Sequence, residues 1–383
     1  MRRAFMVKLN SRHLIFIIAG VAIVTLKTLP NLLIETSGRN SWLSVIAASI
    51  LILLYVWFVL YSGKKTGEYA IHRVYQKAFG KIFGAFFIFT YMLAILLTIF
   101  ESTTVESNIM HTNFIVNTPV WFFLVLSTLG GIYVVKKGGA AVVTTTIIAM
   151  TLISMSGILL AVLTQKYKDF KYLFPIFENG LTTDFFLSTI KALGALGCVS
   201  IFFPYITHIS DKKRLIRHSI FGMLFVVQMQ IFSIIGVLTT FSEKRVTTLI
   251  YPKLTQTQII SYFGFMEAGE IFVMLQVVAG WFMKYCITFY AFLEMLRALN
   301  MKTKINSYIV AAAAYAVSVY IGSNFTIYHK SLNILLYVQF FCFILFPVIA
   351  FMICLMKMKK EKTPSDDSKK KIDGLSSGSY GDI

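Results

Sequence analysis

Charged side chains stand inside long apolar runs of this sequence: Lys27, Lys191, Lys284, Glu101, Glu106, Glu270 and Glu294 all lie within such runs or at their ends. A charge at the centre of a bilayer costs about 2.5–3.5 kcal/mol even on the lenient insertion scale, so each must be paired, reach an interface, or serve a ligand or ion. Glu270, Glu294 and Lys191 are near enough to run ends to snorkel. Lys284 is deeper, some 17 residues or about 25 Å along its run. It lies within Trp281-Phe282-Met283-Lys284-Tyr285. It is expected to face a protein interior or a wet cavity, either as half of a structural ion pair or as a ligand or ion-coupling group. Lys27 and Glu101 fall in the same half of the membrane, about 21 Å and 28 Å along helices running the same way, and are expected to pair as a structural ion pair.

A second kind of chemistry belongs to the backbone. The runs Gly20 to Pro30 and Gly194 to Pro204 each place a Gly ten residues before a Pro. Either run reads as a kinked packing helix or as a helix unwound near the midplane. An unwound stretch exposes N–H and C=O groups where there is no water, and an amino acid, with its carboxylate and ammonium, complements both kinds. Gly194 and Gly197 let backbone approach a ligand closely. In the first run the residues nearest the break are Val24, Thr25 and Leu26. Catalysis finds no such support. No His or Cys pair has ligand spacing and no Gly-x-x-x-x-Gly-Lys phosphate loop is present, so no metal, cofactor or enzymatic activity is expected.

The elements that must position these groups follow from composition. Of 383 residues, 57% are hydrophobic and only 14% charged, against about 25% charged in soluble domains, which excludes a soluble protein. With about 20 residues per crossing, ten spans are predicted at 13–34, 42–62, 82–110, 118–135, 142–163, 187–206, 217–240, 267–299, 306–323 and 333–357. The net charge of +19 would raise nucleic acid as a partner, but the 36 Lys and Arg concentrate in alternate loops, which places both termini in the cytoplasm and leaves no nucleic-acid reading. Cys198, Cys286, Cys342 and Cys354 all lie in apolar runs and act as small hydrophobes. The basic N-terminus, 1–12, leads into a run longer than a signal peptide and reads as a retained first span. The segment 358–383 lacks the apolar residues to fold and reads as a disordered cytoplasmic tail.

Spans one and six hold the two Gly–Pro runs and are equivalent positions of two five-helix halves, about 13–163 and 187–357. An odd number of spans per half inverts one half relative to the other. The expected fold is therefore an all-α integral membrane protein of ten transmembrane helices, a five-plus-five inverted repeat with helices 1 and 6 discontinuous.

On these residues the chain resembles the spore germination permease family, the multispanning B subunits of nutrient germinant receptors. The resemblance rests on Leu26-Lys27-Thr28-Leu29-Pro30, Asn117-Thr118-Pro119-Val120-Trp121, Phe203-Pro204-Tyr205, and Phe265 to Leu299 with its Met266-Glu267-Ala268-Gly269-Glu270 opening. The family is similar to amino acid, polyamine and organocation transporters. Two positions depart from it. Relatives tend to be Gly-rich where this chain has Val24-Thr25-Leu26-Lys27, and often carry Arg where Ala268 stands.

The resemblance implies a subunit in the spore inner membrane that binds a small nutrient, an amino acid being expected. It would signal through an A subunit and a lipoprotein C subunit. The alternatives are a secondary transporter of amino acids or cations, and a structural subunit whose pocket is filled by its own side chains. The ligand site is expected between spans one, three, six and eight, lined by Thr25, Leu26, Tyr91, Gly194, Gly197, Cys198, Lys284, Tyr285 and Thr288. The broken runs point to spans one and six, and the resemblance to three and eight. The segment Tyr251-Pro252-Lys253-Leu254, with Gln256, Gln258 and Tyr262, is amphipathic and is expected either to contact a partner or to rest on the bilayer.

Overall fold

A computed structural model describes residues 9–178, 180–260 and 269–362. The sequence features at Arg2, Arg3, Lys8, Tyr262, Phe265 to Ala268 and 363–383 lie outside these residues. Among the described residues the chain is helical throughout, with one isolated bridge between Leu9 and Ile209. Nine stretches are long and apolar enough to cross a membrane, and a shorter apolar helical stretch, His13–Lys27, precedes them.

The expected first span is built from α1 (His13–Ala22), a tight 3-10 segment (Ile23–Lys27) and α2 (Leu29–Ser37). The expected second is α3 (Ser41–Thr66). Helix α4 (Ile71–Ile109) bends at Gly80, whose φ of 79° is open only to a residue without a side chain. The first piece of α4 ends there, and the Lys357 amine caps it by donating to the carbonyls of Lys77 (2.8 Å) and Ala78 (2.9 Å). Next come α5 (Val120–Lys137), α6 (Gly139–Leu163) and α7 (Thr183–Gly197), then a second 3-10 segment (Cys198–Phe202) and the short α8 (Phe203–Ile206). The helices α9 (Leu215–Thr240), α10 (Glu243–Val246), α11 (Pro252–Gln258), α12 (Gly269–Ala298) and α13 (Thr303–Gly322) follow. The last stretch is α14 (Phe325–Gln339), a π segment (Phe340–Leu345) and α15 (Phe346–Lys362), so the helix runs five residues into the expected tail.

Packing follows the distribution of small and aromatic residues. Helix α12 runs through the middle against α4 and α6, while α1 lies between α9, α6 and α12. Helix α7 packs against α3 and α14. At Gly194 the approach is so close that a Cβ would collide with the Leu336 carbonyl, so this glycine serves helix contact between α7 and α14.

Candidate functional site

Proline fixes the chemistry of the interruptions. A proline at position i has no N–H, so the carbonyl at i−4 loses its helical donor and must find another in a region without water. Pro30 frees the Leu26 carbonyl, which accepts from the Ser233 hydroxyl of α9 at 3.1 Å. Pro204 frees the Ser200 carbonyl, which accepts from the Tyr91 hydroxyl of α4 at 2.7 Å. Pro347 frees the Phe343 carbonyl, which accepts from the hydroxyls of Tyr55 (2.7 Å) and Ser200 (2.6 Å). Each break is thus capped by a hydroxyl from a different helix. A fourth carbonyl, of Ala22, takes the Thr25 hydroxyl at 2.7 Å and the Gln230 amide at 3.3 Å.

Beside the span-one break lies a cavity of about 10 Å³, the space of a single water. Its wall is Thr25, Thr28, Leu29 and Leu32 from the span-one interruption, Glu101 of α4, Ala195 of α7, and Leu332, Leu335 and Leu336 of α14. Glu101, Leu332 and Leu335 also line a crevice of about 240 Å³ between α4, α13 and α14, whose rim residues are partly exposed.

Of the expected ligand-site residues, Thr25 borders the cavity directly. Leu26 and Tyr91 do not line it; each takes part in a capped break. Gly194 faces the Leu336 backbone, and a Cβ on Gly197 would sit 3.1 Å from the Ile344 side chain. Cys198 is buried at the start of the second 3-10 segment. Lys284, Tyr285 and Thr288 are buried on α12, with the Tyr285 ring against Gly131 of α5. The Tyr285 and Thr288 hydroxyls have no partner among the described residues. The sequence reading missed Gln230, Gln276, Gln339, Ser200 and the α14 leucines. Its available signal was the cost of an amide within an apolar run.

The charges are arranged otherwise than expected. The pair between Lys27 and Glu101 is not formed. Glu101 instead receives the Lys284 amine at 2.9 Å, and the Gln339 amide donates to the same oxygen at 3.1 Å. Lys284 also lies 4.9 Å from the centre of the Trp281 ring. Lys27 donates to Gln276 at 2.5 Å, and Gln276 donates to Ser156 at 2.9 Å. Depth along a helix matched Lys27 to Glu101, but α12 packs directly on α4 and takes the carboxylate first. The Tyr251 segment is likewise corrected. Tyr251, Leu254 and Gln256 are buried against this chain's own helices, where the Gln256 amide donates to Gly236 (2.7 Å) and Thr240 (2.6 Å).

A multi-pass helical membrane protein whose spans are interrupted and capped from neighbouring helices is thereby defined. Its sequence matches the family model described as "Spore germination protein" over residues 8–326, and the chain belongs to that family. It is 25% identical to spore germination protein KB of Bacillus subtilis (strain 168), over 87% of this chain and 92% of that protein. It is 22% identical to spore germination protein A2 of the same organism, over 82% and 87%, and 20% identical to spore germination protein XB of Bacillus anthracis, over 71% and 76%. Among solved structures it is similar to one titled "Inward facing conformation of Mhp1", with a TM-score of 0.43 and 11% identity over 90% of this chain and 91% of that one.

Proposed function

We propose that this protein is the membrane subunit of a nutrient germinant receptor, which binds a small nutrient of the amino acid class at the interrupted helices and passes the event to partner subunits. The observation that carries the reading is the water-sized cavity at the span-one break, which also touches α4, α7 and α14. Its polar lining is Thr25, Thr28 and Glu101, and in the interrupted spans the freed backbone carbonyls are held by the chain's own hydroxyls, each of which can be exchanged for a ligand donor. In this closed form the side chains of Ser233, Tyr91 and Gln230 occupy the positions that a ligand ammonium would take. Nutrient binding would release these caps and shift the interrupted segments against α4, α9 and α14. A two-state rearrangement of this kind gives a signal only if the ligand prefers one state.

The ten-span topology with an inverted repeat, cytoplasmic termini, residence in the spore inner membrane, and A and C subunits as recipients belong to the same reading. The test is a panel of germinants on spores lacking this chain, complemented with the native sequence or with Gly197→Leu. The larger side chain meets Ile344 and should abolish the response to one nutrient while the protein remains in the membrane. A normal response by that variant would move the site elsewhere. Flux of labelled amino acid by the chain alone in liposomes would replace the receptor reading with the transporter one.

A further inference from the structure

Three lysines from three separate elements converge on one end of the bundle. Lys27 lies in the interruption of the first span, Lys253 on α11, and Lys168 in the segment after α6. The ammonium groups of Lys27 and Lys253 repel one another, as do those of Lys253 and Lys168. Among the described residues none has a carboxylate within ion-pairing distance. The described ion pairs join Arg73 to Glu68, His208 and Arg297 to Glu294, Lys284 to Glu101, and His329 to Glu35. Each of the three amines meets only an amide oxygen: Lys27 on Gln276 (2.5 Å), Lys253 on Gln256 (2.7 Å) and Lys168 on Gln165 (2.9 Å).

The surrounding backbone builds this arrangement. The Lys253 amine lies against Gly236 of α9, 3.5 Å from where a Cβ would stand. One turn before Gly236, Ser233 caps the Leu26 carbonyl next to Lys27. The Asp169 amide is tied to the Thr239 carbonyl at 2.7 Å, which anchors Lys168 over the end of the same helix. The carboxylates nearby in sequence are turned to other groups: Asp169 accepts the Lys171 amide, Glu270 accepts from Gln258, and Glu243 lies against Gly38. Lys168 and Lys253 are partly exposed, whereas Lys27 is 4% exposed. The cations therefore form a ladder from the surface to the break in the first span. Burial, with Lys168 adding to it, pushes the Lys253 amine down to about 8. Like charges gathered without a counter-charge are costly, and a bound anion removes that cost.

We infer that Lys168, Lys253 and Lys27 form an anion site that receives the carboxylate of a small organic acid and leads it to the span-one interruption. Two of the three lysines, Lys168 and Lys253, are partly exposed, and each amine has donors to spare beyond the one given to glutamine. The inference deepens the nutrient-binding reading by assigning one end of the ligand, and it rests on that reading for the identity of the acid as an amino acid.

The test uses the full chain in lipid nanodiscs, titrated with sodium acetate against sodium chloride at matched ionic strength, with the thermal unfolding midpoint as readout. Acetate should raise the midpoint saturably, because a ligand bound only to the folded state stabilises it. Lys253→Gln should shift the half-saturating acetate concentration upward about tenfold, the loss of one charge-assisted contact, and Lys168→Gln by about threefold. Both positions are partly exposed, so the variants should fold. An unchanged half-point in Lys253→Gln, or an equal saturating response to chloride, overturns the carboxylate site. A germination panel in which the chain proves dispensable removes the receptor reading but leaves an acetate response in place, so the two failures are distinguishable.

Discussion

Two buried cations in this molecule have been treated in opposite ways. Lys284 is matched by Glu101, and Gln339 completes the carboxylate's coordination, so charge introduced into the bundle is cancelled within it. Lys27, at comparable burial, is given only an amide oxygen and has Lys253 as a charged neighbour. The first arrangement locks α4 to α12. The second leaves an unmet demand for negative charge beside an interrupted helix. Burial of a charge therefore does not by itself indicate its role; what compensates it does.

The largest expected effect breaks the compensated pair. Glu101→Gln or Lys284→Met should each destabilise the protein by about 3–5 kcal/mol, because either leaves one group uncompensated. The double change should recover much of that loss, and thermal unfolding in detergent of the two singles and the double checks it. Lys27→Met should cost far less, or should stabilise, since no carboxylate is orphaned. A loss as large as that of Lys284→Met would erase the contrast between the two cations.

The caps give the next effect. Tyr91→Phe removes the donor to the Ser200 carbonyl and should cost about 1–3 kcal/mol, the penalty for a buried polar group left unpaired. Ser233→Ala acts on the longer contact to Leu26 and should cost about 1 kcal/mol. If the receptor reading holds, both variants should also lower the nutrient threshold for germination, because the closed form loses a restraint. An unchanged dose response in both would dissociate the caps from signalling.

A further effect is a pH dependence. Lys253 has its folded value at about 8, below its ordinary 10.5, so between these values the unfolded chain holds more protons than the folded one. Stability should rise with pH across that window and level off above it, the full cost of the buried charge being present, and constant, below about 8. In Lys253→Gln this rise should disappear. A thermal midpoint that climbs equally in variant and native protein between pH 8 and 10.5 would assign the rise to other groups.

Several of these features were already present in the order of residues. The apolar runs, the interruptions before Pro30 and Pro204, and the depth of Lys284 are local properties, because hydrophobic run length and a missing proline N–H act along the chain. The sequence therefore determined a helical membrane protein with two broken spans, and the family match over residues 8–326 agrees with it. Partner choice was not local. The position of a residue along a helix gives its depth but neither its rotation nor the identity of the facing helix. Glu101 went to Lys284 on α12 instead of Lys27, and the polar face of α11 turned inward onto α9. The same holds for the carbonyls freed by Pro30, Pro204 and Pro347: the sequence dictates that each needs a donor, while Ser233, Tyr91, Tyr55 and Ser200 meet them only once distant helices have packed together. Which groups are compensated and which are left open to a ligand is therefore decided by tertiary structure, since electrostatic and hydrogen-bond compensation depends on distances of a few ångströms between segments far apart in the chain.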